Sequence, residues 1–425
     1  MNNHIDLLFS YFNEFADTCI KNNHLDALNR KSISIDFSSK SRQGDISSNF
    51  YLVAIKKILD KQFNLKDELL SGIHNLDFIE KCEISKNGFI NINIKKKFLI
   101  DQVEHLLNEK NKYGKSNVGS DKNVNVEFVS ANPTGPVTVA HMRGAVLGDV
   151  ISSLLTNTGH QVTREYYVNN AGSQIDILGQ SLLKRYLELH GEKAELNSDE
   201  YPGEYLIEMA KLIKKKDGDK WRNHELSQRE DYFKDFAVKY LIEFIEKDLK
   251  LLNIKFDKFS FETDIVNSNI INDLFEILDK KNLLYNGILD KPKGDDSEDW
   301  EPREQLLFKS SSILDDQDRA FKKSNGEWTY FANDAAYHLD KYNRKFDQLI
   351  NIWGADHVGY IPRMKSVLKT ISNRDDYLEI VTCQIVRLIK NNQILKMSKR
   401  EGNFITLQEV YDQVGKDPLR YFMVS

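Results

Sequence analysis

Two short segments, Asn132–His141 and Lys396–Arg400, carry residue types that suit phosphate chemistry. In the first, a glycine and two prolines follow a strand-like stretch and precede a helical one. A strand-to-helix turn of this kind presents backbone N–H groups and the positive end of a helix dipole to a phosphate. The segment lacks both the GxxxxGK[ST] and the GxGxxG patterns. Taken alone, it is equally well explained as an ordinary Gly/Pro loop with His141 at a helix start.

The second segment reads Lys-Met-Ser-Lys-Arg and is followed by Glu401-Gly402-Asn403. Two lysines and an arginine beside a glycine can close over a phosphate and offset the charge that develops in a transition state. A loop suits this role because it can assemble the site only when substrate is bound. Taken alone, however, a charge run of this kind is more often a solvated loop.

The elements around the first segment predict a βαβ unit. Val124, Val126 and Phe128 alternate as a strand does, residues 141–157 have helical spacing, and Gln161–Val168 reads as a strand. The ligand site of such a unit lies at the carboxyl end of its first strand. Residues 175–290 are predicted to be mostly helical, and residues 290–304 to be a surface excursion. Further sheet segments are predicted at 328–331, 349–353 and 378–383.

The flanking regions show their own patterns. Residues 1–22 read as an amphipathic helix, a second helix follows Gly44, and residues 88–94 alternate as a half-buried strand, which together predict a small α+β domain. Residues 386–395 resemble a hairpin around Asn391-Asn392. Thr406 and Glu409 form a capping box, and Asp417-Pro418 opens a last helix that is still running at Ser425.

Bulk composition excludes several classes of protein. Forty per cent hydrophobic and 29% charged residues in 425 describe a globular protein of two or three domains. No apolar run reaches the roughly 18–20 residues that a bilayer requires, and there is no signal-peptide pattern, so no membrane partner is expected. The three dispersed cysteines argue against a disulfide framework and against a structural metal site, and favour the cytoplasm.

In this order and about 260 residues apart, the two segments resemble the two signature motifs of class I aminoacyl-tRNA synthetases, HIGH and KMSKS. Other stretches resemble arginyl-tRNA synthetases, and the similarity covers essentially the whole chain. These stretches are residues 126–136, 141–149, 167–174, 329–334, 353–357 and 415–422.

The resemblance implies a set of ATP-binding residues. They are Pro133, Thr138, Ala140, His141, Gly144, Gly354, Asp356, Lys396, Ser398 and Lys399. Of these, His141, Lys396 and Lys399 would be catalytic, and Asp356 would bind the ribose. Thr138 stands where the family has a histidine, so the role of this position is open, although its hydroxyl can still donate one hydrogen bond. Asn170 stands where the family often has aspartate and is given no charge-based role.

The arginine-binding residues implied by the resemblance are Ser130, Asn132, Tyr330, Asp334 and His357. A planar guanidinium requires a fixed carboxylate, because bidentate pairing rejects the point charge of lysine. Asp334 is the expected acceptor and Tyr330 an orienting neighbour. From the residues alone, Tyr330 is better explained as a core aromatic on a strand, and a helix N-cap is a serious alternative for Asp334. His357 is either a substrate contact or a structural histidine.

The fold implied is α/β: a Rossmann-type class I catalytic domain with a parallel sheet over residues 116–405, with a helical insertion at about 175–290. A small α+β domain, residues 1–115, would precede it and contact the tRNA elbow. Residues 406–425 would begin a helical anticodon-binding domain that is otherwise missing, so anticodon selection cannot be read from the sequence. A cytoplasmic monomer is expected.

The implied activity is arginine–tRNA ligation with MgATP. L-arginine would be activated to arginyl-adenylate, with release of pyrophosphate, and then transferred to the 3′ end of tRNA(Arg). Two alternatives remain. A class I synthetase for another amino acid, such as the cysteinyl type, is disfavoured by the absence of zinc-ligand cysteines and by residues 329–334. A non-catalytic tRNA-binding relative is favoured by Thr138 but disfavoured by the intact Lys-Met-Ser-Lys sequence.

Overall fold

Two units make up the chain, residues 1–114 and 115–425. The computed structural model describes residues 4–38, 44–289, 302–384, 386, 389–390, 393–394 and 405–425. Helices are labelled α and strands β in chain order. Of the sequence predictions, the Lys396–Arg400 segment, Asn391-Asn392 and most of the 290–304 excursion lie outside the described residues.

The first unit combines helices with one antiparallel sheet. Its elements are α1 His4–Lys21, β1 Ile35–Phe37, β2 Ile46–Ser48, α2 Phe50–Ile55, α3 Leu65–His74, β3 Ile79–Ile84, β4 Ile90–Ile94 and α4 Lys96–Glu109. The strand order is β1-β2-β4-β3. Helix α1 buries Leu8, Phe12, Ala16 and Cys19, at steps of three and four residues, so the predicted amphipathic helix is confirmed. Strand β4 buries alternate isoleucines, so this prediction is also confirmed.

The second unit is built on a parallel sheet. Its elements are β5 Asn123–Glu127, α5 Val139–Asn157, β6 Gln161–Val168, α6 Ser173–Leu189, α7 Glu204–Asp217, α8 Leu226–Leu251, β7 Lys258–Phe261, α9 Glu262–Asn267, α10 Ile270–Lys280, β8 Leu284–Gly287, β9 Gln305–Phe308, β10 Arg319–Lys322, α11 Tyr330–Asn343, β11 Gln348–Gly354, α12 Ile361–Ser372, β12 Leu378–Cys383, β13 Ile389–Lys390, β14 Gln393–Ile394, α13 Leu407–Val414 and α14 Lys416–Val424.

Five strands form the parallel sheet, in the order β12-β11-β5-β6-β7. The βαβ unit predicted from the sequence is β5–α5–β6, at the centre of this sheet. Helix α5 packs closely on the sheet because Gly148 has no side chain: a Cβ there would lie 2.2 Å from the ring of Phe128. The chain therefore has an α/β fold whose first βα turn lies at the middle of the sheet.

The region between β6 and β8 is mostly helical, as predicted. Helices α6, α7 and α8 pack around a core of their own that includes Leu182, Met209 and Phe233. The stretch also contains β7, which pairs with β6 and supplies the last strand of the sheet. The sequence reading of 175–290 as helical overlooked this strand, because four residues are too few to show a clear alternation.

The segment predicted as sheet at Trp328–Phe331 is not a strand: Trp328 forms only an isolated antiparallel bridge with Lys322, and α11 begins at Tyr330, so this prediction was wrong. Thr329 is the N-cap, and its Oγ1 accepts a hydrogen bond from the N–H of Ala332 at 3.2 Å. Aromatic residues favour strands locally, but the cap and the apolar positions that follow it favour a helix. Tyr330 is 72% exposed, so it is neither on a strand nor in the core.

The predictions for the end of the chain agree with the described residues. Strands β13 and β14 pair antiparallel, as the hairpin prediction requires. Thr406 and Glu409 form the capping box of α13, and α14 begins at Lys416. In the described part of the chain, no helix is long and apolar enough to cross a membrane.

Candidate functional site

A cavity of about 990 Å³ opens at the carboxyl ends of β5, β6 and β11. Strand β5 is followed along the chain by β6 on one side, while β11 lies on its other side. Ligands of open α/β sheets bind at such a point, where the direction of strand addition reverses. The cavity therefore lies where the topology alone would place a substrate site.

The structure gathers most of the residues selected from the sequence around this cavity. Its wall includes Ser130, Asn132, Thr138, Ala140, His141, Gly144, Tyr330, Asp334, Gly354, Asp356 and His357. Pro133 is buried beside them and is not part of the wall. Lys396, Ser398 and Lys399 lie outside the described residues. The placement brings both residue sets, ATP and arginine, to one cavity, and their individual roles stay predictions.

The chain leaves β5 in a strained conformation. Val129 has φ +68° and Ser130 φ +38°, in the left-handed region that a β-branched residue rarely adopts. Strain of this kind costs on the order of 1–3 kcal/mol and persists only where its surroundings fix it. Here the Ser130 hydroxyl fixes it, accepting from the N–H of Tyr167 at 3.1 Å and donating to Glu127 Oε1 at 3.0 Å.

The His141 imidazole is oriented by the residue three positions before it. The Thr138 N–H donates to His141 Nδ1 at 3.2 Å, and the Thr138 hydroxyl lies 3.0 Å from the same nitrogen. Because a backbone N–H can only donate, Nδ1 of the neutral ring is an acceptor and Nε2 carries the hydrogen. Thr138, which is 5% exposed, is the N-cap of α5, and from this position it fixes the orientation of the His141 ring.

Main-chain hydrogen bonds join the α5 N-terminus to the residues that follow the Lys396–Arg400 segment. Val139 N–H donates to Ile405 O at 3.2 Å, and Leu407 N–H donates to Val137 O at 2.9 Å. On the other side of that segment, Cys383 and Val386 are in the cavity wall. Both flanks of the segment therefore lie at the cavity, although the segment itself is not described.

At the other end of the cavity, Asp334 is a half-buried carboxylate on α11. Burial raises the pKa of Asp334 to about 7, against the opposing effect of a hydrogen bond from the Tyr360 hydroxyl to Oδ2 at 2.8 Å. It lies in the second turn of the helix, so it is not the N-cap that the alternative reading required. A carboxylate held at the cavity wall with little water is suited to a cationic ligand.

Glu127, which the sequence analysis did not select, also lines the cavity. Its Oε2 accepts from Lys341, whose side chain has no exposed surface, and its Oε1 accepts from Ser130. The sequence contained a signal for this residue. A central strand of a parallel sheet is buried on both faces, so a polar residue on it needs a buried partner. Asn125 and Glu127 alternate with the apolar residues of β5 and are such residues.

Helix α11 turns a polar face toward the sheet. Lys341 Nζ lies 3.4 Å from Asn351 Oδ1, and Asn351 Nδ2 lies 2.9 Å from His338 Nε2. His338 Nδ1 lies 2.7 Å from the Asp334 carbonyl, which only accepts, so Nδ1 donates and Nε2 accepts. Burial, with the charge of Lys341, lowers the pKa of His338 to about 4, which keeps the ring neutral.

A second ion pair lies on the same face. Arg344, which caps the end of α11, donates to both carboxylate oxygens of Glu165 on β6 at 2.9 Å. Burial alone would raise the pKa of Glu165, but the charge of Lys341 and the bidentate Arg344 outweigh it and lower the pKa to about 2. The helix that carries Asp334 is therefore attached to the sheet through charged side chains.

The turn after β11 carries the third group of selected residues. Gly354 is the last residue of β11, and Asp356 and His357 follow in the turn. The Asp356 side chain is 61% exposed, and its Oδ2 lies 3.5 Å from His357 Nε2. An accessible carboxylate at the end of a parallel strand can accept from two hydroxyl donors, as a ribose offers. The His357 side chain is 65% exposed, and its ring lies edge-on to that of Trp353, with the ring centroids 6.4 Å apart.

Comparison with known proteins agrees with these features. The family model "tRNA synthetases class I (R), catalytic domain" matches residues 102–422, and "Arginyl tRNA synthetase N terminal domain" matches residues 14–94. The arginine–tRNA ligase of Ruegeria pomeroyi is 42% identical over 393 residues, which is 92% of this chain and 68% of that protein. That of Bartonella quintana is 41% identical over 408 residues, 95% of this chain and 70% of that protein.

Solved structures show the same likeness. A Campylobacter jejuni protein assigned as an arginyl-tRNA synthetase superposes with a TM-score of 0.67 at 33% identity, over 78% of this chain and 69% of that one. The arginyl-tRNA synthetase of Thermus thermophilus, at 17% identity and a TM-score of 0.62 over 93% of this chain and 69% of that one, shares the fold. The chain therefore belongs to the arginyl-tRNA synthetases, a family of class I aminoacyl-tRNA synthetases.

Proposed function

We propose that this chain is an arginine–tRNA ligase that activates L-arginine with ATP and transfers it to the 3′ end of tRNA(Arg). The observation that carries the proposal is the content of one cavity. The carboxylates of Asp334 and Glu127 lie in the same wall as His141 at the start of α5. The proposed site for a guanidinium cation therefore adjoins the proposed site for a triphosphate, as the joining of arginine to ATP requires.

In the first step, an oxygen of the arginine carboxylate attacks the α-phosphorus of ATP. The new Pα–O bond forms as the bond from Pα to the α,β-bridging oxygen breaks, which yields arginyl-adenylate and pyrophosphate. Asp334 holds the guanidinium, with Tyr330 beside it, and Ser130, Asn132 and His357 surround the rest of the amino acid. Negative charge shifts along the phosphates, so donors fixed in advance lower the barrier without moving.

His141 is proposed as one of these donors, because the Thr138 N–H leaves the hydrogen on its Nε2. Ala140, Gly144, Gly354 and Asp356 are proposed to hold the adenosine, with Pro133 and Thr138 shaping the turn from within. Mg²⁺ is proposed to enter with ATP, since this ion is usually held by substrate phosphates and a few carboxylates rather than by a dedicated protein cage.

Lys396, Ser398 and Lys399 are proposed to contact the phosphates from the segment whose two flanks reach the cavity. The support is the pairing of Ile405 and Leu407 with the backbone around Thr138. In the second step, the 2′-hydroxyl of the terminal tRNA adenosine takes the arginyl group and AMP leaves. A cytoplasmic location, a monomer and a tRNA contact through the N-terminal unit are parts of the same proposal.

The decisive experiment is amino-acid-dependent exchange of pyrophosphate into ATP, with tRNA(Arg) present. We expect exchange with L-arginine and none with L-lysine or L-cysteine, because a bidentate acceptor discriminates by shape. Asp334→Asn, which keeps the size of the side chain, should abolish arginine dependence. Exchange with a different amino acid would identify another class I synthetase, and tRNA binding without any exchange would identify a non-catalytic relative.

The same assay tests the lysines. Lys396→Ala and Lys399→Ala should each lower kcat by about a hundredfold or more, with little change in KM for arginine, because they act on charge that appears in the transition state. Lys280→Ala, an exposed lysine on α10 paired with Glu276, is the matched control and should leave kcat unchanged. Unchanged exchange in both loop variants would remove the segment from the mechanism.

A further inference from the structure

Three side-chain amides form a chain across the two turns that follow β5 and β6. Asn169 Nδ2 donates to Asn132 Oδ1 at 2.8 Å, and Asn132 Nδ2 donates to Gln174 Oε1 at 3.1 Å. Asn132 and Asn169 are in the cavity wall, whereas Gln174 is in the first turn of α6 and is not part of the wall. No charged group described above belongs to this chain of amides. The proposed reaction assigns a role to Asn132 but none to Asn169 or Gln174.

The topology explains why these amides meet. Strands β5 and β6 are parallel neighbours, so the residues after their carboxyl ends lie side by side. The second turn bends back at Gly172, which has φ +87°. A Cβ on that glycine would stand 3.8 Å from the Tyr330 hydroxyl. The turn that carries the two amides therefore runs between Asn132 and Tyr330, two of the residues proposed to contact arginine.

The two hydrogen bonds give the Asn132 amide one orientation. An asparagine amide has two N–H donors and an oxygen with two lone pairs, and its terminal torsion is broad unless partners fix it. One N–H and one lone pair are taken up by Gln174 and Asn169. One N–H and one lone pair remain, each on a defined side. A free α-amino acid presents a matching pair of groups, a carboxylate that accepts and an ammonium that donates.

We infer that Asn169 and Gln174 are positioning residues, which orient Asn132 so that it reads the head group of the bound amino acid. The remaining N–H of Asn132 takes the α-carboxylate and the remaining lone pair takes the α-ammonium. The inference rests on the proposed function, since it takes the amino acid to be arginine. In this proposal Asn169 and Gln174, acting through Asn132, determine the orientation of the arginine carboxylate that attacks ATP.

Two isosteric substitutions separate orientation from charge. Asn169→Asp replaces the donor by an acceptor, so the Asn132 amide must turn over to regain a hydrogen bond, and it then faces the head group with the wrong atoms. Gln174→Glu keeps an acceptor for Asn132 Nδ2 and adds the same negative charge at the other end of the amide chain. Asn169→Ala removes the donor and adds no charge.

The measurement is the equilibrium affinity of the full chain for two ligands, by calorimetric titration. L-arginine carries the head group, whereas n-butylguanidine keeps the guanidinium and has neither carboxylate nor ammonium. We expect Asn169→Asp and Asn169→Ala to weaken L-arginine binding by about tenfold or more, the usual effect of hydrogen bonds to charged groups. Gln174→Glu should stay within about threefold of the wild type, and n-butylguanidine should bind all variants alike.

The outcomes distinguish this inference from the proposed function. Wild-type protein that does not bind L-arginine contradicts the function. If the wild-type protein binds L-arginine, and Asn169→Asp has the same ratio of L-arginine affinity to n-butylguanidine affinity, only the orientation of Asn132 by the two amides is contradicted. A loss of L-arginine affinity in Gln174→Glu as large as that in Asn169→Asp also contradicts it, because it would indicate an effect of charge. Tighter binding of n-butylguanidine by Asn169→Asp, together with unchanged binding of L-arginine by Asn169→Ala, would indicate the same. Equal thermal unfolding of the variants ensures that folded proteins are compared.

Discussion

At the scale of single residues, Asp334 combines burial with the expected charge of its ligand. Burial raises its pKa to about 7, so the carboxyl group is partly protonated at neutral pH while the cavity holds no cation. A guanidinium beside it favours the ionised form and lowers the pKa again. With Asp334 in its proposed role, binding of arginine is coupled to release of a proton, and the affinity depends on pH.

We expect the dissociation constant for L-arginine to rise about tenfold between pH 8 and pH 6, because Asp334 must lose its proton before it can pair. Calorimetric titrations in two buffers of different ionisation enthalpy would also report the released proton. His338 does not interfere, since its pKa of about 4 keeps it neutral throughout. In Asp334→Asn the dependence should flatten. An affinity that is constant over this range would contradict the coupling.

Sequence reasoning found the residues that bear a recognisable pattern and missed those that support them. His141 and Asp334 were selected from their motifs, but the tautomer of His141 depends on a backbone N–H of Thr138, which no residue type reveals. Glu127 was passed over because its partner, Lys341, lies 214 positions away. Long-range pairing of this kind follows from the topology and not from local sequence.

At the scale of elements, α11 supplies Tyr330 and Asp334 to the wall of the cavity, both proposed to contact arginine. Its apolar residues face one core, and its polar residues face Glu127 and Glu165 on the sheet. The sequence prediction failed at the start of this helix, where Trp328–Phe331 reads as a strand. Local propensity is weaker than a cap combined with two facing ion pairs, which only the packed structure contains.

The buried pair should contribute strongly to the stability of this unit. Lys341→Met leaves Glu127 without its cation, which we expect to lower the free energy of unfolding by about 3–5 kcal/mol. The double variant Lys341→Met/Glu127→Gln removes the uncompensated charge and should recover part of the loss. Scanning calorimetry of the folded chain gives both values.

Lys280→Met provides the control for this prediction. Lys280 lies 3.0 Å from Glu276 on the surface of α10, with both side chains mostly exposed. Exposed pairs of this kind contribute less than about 1 kcal/mol. Similar losses in Lys280→Met and Lys341→Met would show that burial does not distinguish the two pairs.

At the scale of the whole molecule, the N-terminal unit has a core of its own. Leu8, Phe12, Phe50 and Ile92 belong to this core, which is formed entirely by residues before Gly114. A unit that buries its own apolar residues and completes its own sheet is expected to fold independently. The sequence supported this division because the composition and spacing of the first block differ from those of the βαβ region that follows.

We expect a fragment of residues 1–114 to unfold cooperatively, with a thermal transition that also appears in the full chain. Circular dichroism of the fragment and calorimetry of the full chain make the comparison. Phe12→Ala, which removes a ring stacked on Phe50 at 4.5 Å, should lower that transition and leave the others in place. A fragment without a cooperative transition would show that the unit depends on the rest of the chain.

The pairing of Val137 and Val139 with Leu407 and Ile405 also bears on the order in which the protein is made. Synthesis proceeds from the N-terminus, and domains begin to fold as they emerge. The turn that carries His141 leaves the ribosome long before its backbone partners exist. A nascent chain can complete its sheet with β12 and still lack these hydrogen bonds. The part of the cavity around His141, which is proposed to bind ATP, is therefore among the last parts of the molecule to form.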